Sequence, residues 1–260
     1  MPVQLVGPDG FIDRVRHKLG SYTWNLLDDR APDFSILALD FYGERLCRAC
    51  TFRACKAFAP ETAAVPALPP GVVLDEDSFR VRATSLDHGI ACLAFAFEEK
   101  MRINVSTEGL AALGLPVGPW LNEAKRAVRR DSPDTTPVLV APGTSVPLGI
   151  LKAHALRIAP GQRIAYVADA GGSDENLHRI AELARHADQL FIEAAFLSAD
   201  AQLAAERRHL TAAQAGAVAR AAGAVRVIPF HFSPRYIERE QELRLELALA
   251  FQNGPAPEQS

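Results

Sequence analysis

The chain has 260 residues, 48% hydrophobic and 23% charged, with a formal net charge of −3. That balance supports a sizeable core and excludes a fibrous or disordered chain, and the small negative charge excludes a globally basic nucleic-acid binder. No stretch is long enough to cross a bilayer and the N-terminus lacks a secretory signal, so a cytoplasmic protein without membrane contact is expected.

In chain order, Val3 to Val6 reads as a strand and Gly7-Pro8-Asp9-Gly10 as a turn. A helix follows, with Phe11, Val15 and Leu19 on one face. Phe34 to Phe41 is a strand. Four prolines between Phe58 and Gly71 mark a loop. Phe79 to Ala83 alternates apolar and polar residues as a half-buried strand does, and Ala91 to Phe97 is a second, more buried one. His88 lies in the short connection between them. Cys47, Cys50, Cys55 and Cys92 read as buried or loop cysteines in a reduced compartment. A zinc site would need a fourth ligand near the first three, and the only nearby candidate, His88, has another use.

Residues 101 to 155 form an arm-like excursion. It contains a short helix ending at Gly114, the run Pro116, Gly118, Pro119, a basic helical segment (Lys125, Arg126, Arg129, Arg130) and a turn-rich stretch from Asp131 to Pro147. From Gln162 the pattern becomes strand–helix repetition, which predicts an α/β fold. Strands end at Asp169, Glu193 and His231. Leu177, Ile180 and Leu183 mark a helix. Thr211 and Gln214 form a capping box, and Gly223 is the C′ residue of the helix it opens.

Five residues that can do chemistry occupy loops after apolar strands or just before helices: His88, Asp169, Glu193, His209 and His231. A rigid strand behind an exposed imidazole or carboxylate suits it to metal binding, and two imidazoles with one carboxylate suit zinc or manganese. His17, His154, His178 and His186 read as solvated side chains.

Several short segments together resemble ribonuclease Z. Val167-Ala-Asp169-Ala-Gly is similar to the family's strand–Gly-Asp-Thr element, and Ile192-Glu193-Ala-Ala-Phe196 to its His-Glu-Ala-Thr-Phe loop. His209-Leu-Thr211-Ala-Ala-Gln214-Ala resembles His-Ser-Thr-x-x-Gln-Ala, and His231-Phe-Ser-Pro-Arg235-Tyr236 resembles His-x-Ser-x-Arg-Tyr. Asp87-His88-Gly89 matches a solitary His-Gly element. Leu113-Gly-Leu-Pro-Val-Gly118-Pro119 looks like the Gly-x-Pro-x-Gly-Pro signature of the substrate arm, and Val6-Gly7-Pro8-Asp9-Gly10 like the Tyr-Gly-Pro-x-Gly after the first metal motif.

The resemblance implies a metallo-β-lactamase αββα four-layer sandwich formed by residues 1–260 as one domain, and a zinc-dependent endoribonuclease trimming precursor tRNA 3′ ends. His88 and His231 would each complete one of two zinc sites, and Asp169 would bridge both ions. His209 with Glu193 would act as proton donor or orienter at the leaving group. Gly118, Pro119, Lys125, Arg126, Arg129 and Arg130 would contact tRNA.

The family's His-x-His-x-Asp-His motif does not occur in the sequence. The expectation is therefore a chain lacking the N-terminal part of the first sheet and four ligands, with an incomplete site, inactive as it stands and able to dimerise through an exposed sheet edge. Ala170, Ile192 and Leu210 depart from the family's Thr, His and Ser. Two other readings stay open: another hydrolase of the same fold, such as a small-molecule phosphodiesterase or arylsulfatase, and a non-catalytic RNA-binding subunit.

Overall fold

The computed structural model describes residues 2–32 and 34–252. Strand alternation organises the first part of the chain. β1 (Val3–Pro8) leads through the turn into α1 (Phe11–Gly20), followed by β2 (Ser35–Tyr42), β3 (Arg45–Arg53) and the short β4 (Pro60–Thr62). They form a four-stranded sheet in the order β1-β2-β3-β4, with β1 parallel to β2 and the other pairs antiparallel. Along β2, Ile36 and Ala38 point to one face and join Phe52, Ile12, Val15 and Leu19 beneath α1. Phe41 points to the opposite face, where Val6 and Leu46 meet Val73, Ala83, Leu93 and Phe95 of a second sheet. Period-two alternation thus gives β2 a helix on one side and a sheet on the other.

α1 begins at Gly10, which has no side chain to cap it. The cap comes from β2. Asp40, fully buried, accepts hydrogen bonds from Ile12 N (2.8 Å) and Gly10 N (3.3 Å), with Arg48 Nη1 at 3.2 Å. A carboxylate there satisfies orphan helix donors and suits the positive end of the helix dipole.

The second sheet contains β5 (Val72–Asp75), β6 (Phe79–Asp87) and β7 (Ala91–Glu99). The chain then forms β8 (Met101–Val105), α2 (Thr107–Ala112), α3 (Trp120–Arg129), β9 (Pro137–Ala141), β10 (Thr144–Pro147), α4 (Leu148–His154) and β11 (Leu156–Pro160). It returns with β12 (Arg163–Val167), α5 (Asp174–Leu183), β13 (Gln189–Glu193), α6 (Ala201–Arg207), α7 (Ala212–Ala221), β14 (Val227–Phe230) and α8 (Glu240–Gln252). The sheet order is β14-β13-β12-β7-β6-β5, with β12, β13 and β14 mutually parallel. Its other face is covered by the largest core, where Leu190, Ile192, Val167 and Ala165 pack with Ile180 and Leu183 of α5, Ala215 and Val218 of α7, and Leu243 and Leu247 of α8. Helix, sheet, sheet, helix is the layer order, an α/β metallo-β-lactamase fold.

The chain divides into two compact units. The first takes in the chain up to Leu74, Val81–Phe97 and everything from Ile164 onward. The second comprises Asp75–Arg80 and Glu98–Arg163. The second unit has its own core, with Trp120, Leu121, Ala124 and Val128 of α3 packed with Val138, Val140, Leu148, Leu151 and Leu156. Its stretch Asp131 to Pro147, expected to be turns, contains the β9–β10 hairpin. Several further elements had no counterpart in the sequence reading, among them β3, α6 and α8, and the expected loop from Phe58 to Gly71 contains the short β4. Cys47 and Cys50 lie on β3 and Cys55 in the 3-10 turn after it.

Candidate functional site

Parallel strands end at the same edge of their sheet, so loops after β12, β13 and β14 gather along one rim. Asp169 follows β12, Glu193 is the last residue of β13, and His231 follows β14. His88 joins them from the turn between β6 and β7, and His209 from the connection between α6 and α7. Asp169 and His231 both have left-handed backbones, with φ of 54° and 59°. For non-glycine residues this costs roughly 1 kcal/mol each, and it persists only where surrounding contacts hold it.

Glu193 supplies those contacts. It is fully buried, and both its oxygens are saturated. Oε2 accepts from Asp169 N (3.1 Å), His209 Nδ1 (3.0 Å) and His231 Nδ1 (3.1 Å); Oε1 accepts from Ala170 N (3.3 Å) and Leu210 N (2.9 Å). One carboxylate therefore ties together three loops. With no lone pair left over and no exposure, Glu193 orients the groups around it.

The imidazoles share one logic. A carbonyl or carboxylate oxygen only accepts, so a ring nitrogen against it carries the proton and the other nitrogen is left as an acceptor. His88 Nδ1 donates to Arg208 O at 2.7 Å, while His209 and His231 donate to Glu193. In the neutral form of each ring, these bonds leave Nε2 as the acceptor. The rings lie side by side, with centroids 4.7 Å apart for His88–His209 and 5.2 Å for His209–His231. Asp169 Oδ1 is 3.2 Å from His231 Nδ1, and its carboxylate is half exposed.

Ligand atoms of Asp169, Glu193, His209 and His231 all lie within 4.8 Å of one another. His88 lies outside that group, on the other side of His209. With Glu193 saturated, the outward-facing donors are one carboxylate and up to three imidazole nitrogens. This set fits a divalent cation with open positions.

Three residues that the sequence reading did not place at the site complete it. Asn176, 3% exposed, accepts from Asp87 N (3.0 Å) and donates to Asp87 O (2.8 Å) and Gly171 O (2.9 Å), locking the His88 turn to the loop beyond Asp169. Its signal was a polar residue on the apolar face of α5, in line with Ile180 and Leu183. Cys92 donates its thiol to Asp169 O at 2.9 Å. Its pKa is pushed up to about 11, first by burial and then by the negative charge of Asp169 and Glu193. Arg208 holds His88 through its carbonyl, and its own φ is 59°.

The tRNA-contact candidates lie in the second unit. Pro119 is the N-cap of α3, and the Trp120 ring leaves little room for any side chain at Gly118. Arg126 and Arg130 are ion-paired with Glu123 (3.9 Å) and Asp77 (3.2 Å). Lys125 and Arg129 are partly exposed on the same helix.

The layered fold and its rim define a protein of the β-lactamase superfamily, and the family model described as a β-lactamase superfamily domain matches residues 135–232. Ribonuclease Z of Deinococcus radiodurans is 32% identical over 248 residues, covering 95% of this chain and 71% of that protein. Ribonuclease Z of Thermobifida fusca is 37% identical over 183 residues, covering 70% of this chain and 52% of that protein. The chain belongs to the ribonuclease Z family. It spans between about half and seven-tenths of the length of these relatives. Among solved structures, human tRNase Z, short form, overlaps 90% of this chain and 62% of its own, at a TM-score of 0.44 and 16% identity.

Proposed function

We propose that the chain is part of a metal-dependent endoribonuclease that shortens the 3′ ends of precursor tRNA. The observation carrying this reading is the cluster of Asp169, Glu193, His209 and His231, with ligand atoms within 4.8 Å of one another and the His88 ring beside His209. His88, Asp169 and His231 would hold the divalent cation, with zinc and manganese both compatible with the donors. When bound, it supplies Lewis-acid stabilisation of the negative charge that builds on the phosphoryl group.

The other residues position groups and move a proton. His209, between the other two imidazoles, takes up a second proton at Nε2 and gives it to the leaving 3′ oxygen, while Nδ1–H stays on Glu193. Glu193 holds His209 in the tautomer and direction this requires, so it is a positioning residue. Lys125, Arg126, Arg129 and Arg130, with the turn at Gly118 and Pro119, bind tRNA phosphates. Relatives named ribonuclease Z at 32% and 37% identity favour RNA over a small-molecule substrate. No helix among the described residues is long and apolar enough to cross a membrane; the cytoplasmic location of this reading follows from its tRNA substrate. Among the described residues β1 pairs only with β2, and this open edge suits a homodimer.

The test is cleavage of a 3′-extended precursor tRNA with zinc or manganese, by this chain alone and mixed with an N-terminal segment of a relative carrying His-x-His-x-Asp-His. Cleavage in the mixture that is lost in Asp169→Ala and His209→Ala supports the proposal. Hydrolysis of bis(p-nitrophenyl) phosphate with the tRNA left intact would replace the substrate. Binding of tRNA without hydrolysis of either would leave an RNA-binding subunit.

A further inference from the structure

His209 stands between two cavities. One, of 660 Å³, is lined by Asp87, Gly172, Ser173, Arg208 and Thr211; the other, of 820 Å³, by Phe196, Leu203, Arg207, His231 and Arg235. The consecutive residues just before His209 thus place one guanidinium in each. A change of backbone handedness accounts for this divergence. Arg207 is the last helical residue of α6, whereas Arg208 sits at φ 59° and ψ 41°.

A helix C′ position in this conformation is where glycine is the default, and an arginine there carries a conformational cost. Packing of the Arg208 side chain does not explain it as a structural brace. Its ion pair with Asp87 is 4.0 Å long, with side chains 55% and 77% exposed, a geometry that contributes little in water. What the fold provides instead is room. Gly89, at φ 78°, lets the guanidinium lie across the His88 turn, where a Cβ would approach it to 2.1 Å. Arg207 is exposed, and its side chain forms no hydrogen bond or ion pair with the described residues. Arg235 shares its cavity, 3.8 Å from Asp200 and 54% exposed.

Two exposed guanidinium groups, one unpaired among the described residues and one in a long ion pair, on opposite sides of the proton-donating imidazole match an anion that repeats along a chain. A polynucleotide offers a phosphate on each side of the linkage being cut, and arginine's planar fork suits phosphate oxygens. Resting on the reading that the substrate is RNA, we propose that Arg207 and Arg208 are paired substrate clamps, seating the phosphates that flank the scissile linkage in the two cavities beside His209. Arg235 supports the Arg207 side.

The experiment is fluorescence anisotropy of this chain with a labelled single-stranded RNA tetranucleotide, across a salt series. Arg207→Ala and Arg208→Gly should each weaken binding about tenfold at low salt and lower the slope of log K against log salt by about 0.7. Arg208→Gly relieves the backbone cost, so its melting temperature should hold or rise while affinity falls, which a structural role would not produce. Tetranucleotides with a single neutral methylphosphonate should separate the sides, with Arg207→Ala insensitive to one substituted linkage and Arg208→Gly to another. Arg14→Ala, on α1, should bind as the parent does.

Parent binding with unchanged slopes in both variants would overturn the clamp and leave the ribonuclease reading standing. Variants sensitive to the same linkage would overturn the two-sided arrangement. A parent chain with no salt-dependent RNA binding would overturn both.

Discussion

Replacing Glu193 by Gln keeps shape and volume and changes only which atoms can accept, so it isolates what the carboxylate does. The amide has one acceptor oxygen where five donors now converge. If the oxygen takes the Oε2 place, the NH2 group faces Ala170 N and Leu210 N and two buried donors lose their partner. The opposite rotamer strands Asp169 N and both imidazoles, which is worse. A buried donor left unpaired costs about 1–3 kcal/mol, so the better rotamer still costs on the order of 4 kcal/mol. Set against the roughly 5–15 kcal/mol stability of a typical domain, that is a severe but measurable loss. Urea unfolding followed by circular dichroism, with a chelator present to remove metal linkage, should show the midpoint fall at an unchanged m-value. Imidazole nitrogen NMR should show His209 and His231 keeping their Nδ1–H tautomer, since the amide oxygen stays in the Oε2 place, and His88, held by the Arg208 carbonyl, keeping its own. A Glu193→Gln chain within about 0.5 kcal/mol of the parent, the range of ordinary surface substitutions, would refute the reasoning.

Three further outcomes are expected. Arg208→Gly should raise stability by about 1 kcal/mol in thermal or urea unfolding, because glycine adopts the left-handed C′ conformation without the Cβ penalty; a loss would show that the arginine side chain braces the fold. Cys92, with its pKa pushed up to about 11, should be about one part in a thousand thiolate at pH 8, so mass spectrometry should find iodoacetamide on exposed Cys47 well before Cys92. Asp75 is held below its ordinary value of 3.8 chiefly by hydrogen bonds from Arg80 and then Lys100. A depressed carboxylate contributes stability above its unfolded pKa and loses it as pH falls through the folded one, so Asp75→Asn should lower stability at neutral pH and flatten the decline below about pH 4.

The rim was legible in the sequence because short polar residues at the ends of apolar strands have few structural uses. Asp169, Glu193 and His231 were therefore readable as a set, and parallel β12, β13 and β14 bring them to one edge. The capping box at Thr211 was equally plain, and both of its reciprocal hydrogen bonds form. The part played by Glu193 was not readable, since it depends on burial and on donors from three different segments. Asn176 and Arg208 were hidden for the same reason, their partners being backbone atoms far away in sequence. β3 went unseen because its cysteines and arginines obscure the alternation, which a bulge opposite Asp40 and Phe41 disrupts further. The hairpin within Asp131 to Pro147 was masked by its own prolines and glycine, which read as loop. The amphipathic pattern of α8, with Leu243 and Leu247 buried four residues apart, lay beyond the last recognisable motif.

The central claim is that the side chains on this rim are built to hold a divalent cation on Asp169 with the bare Nε2 atoms of His88 and His231. The most direct measurement is anomalous diffraction from crystals of the chain soaked in zinc, collected on both sides of the zinc edge. The account predicts a peak within bonding distance of the Asp169 carboxylate and at least one of those nitrogens, absent in Asp169→Ala crystals grown alike. Zinc found only at Cys47, Cys50 or Cys55, or a rim peak that survives the loss of Asp169, would contradict it.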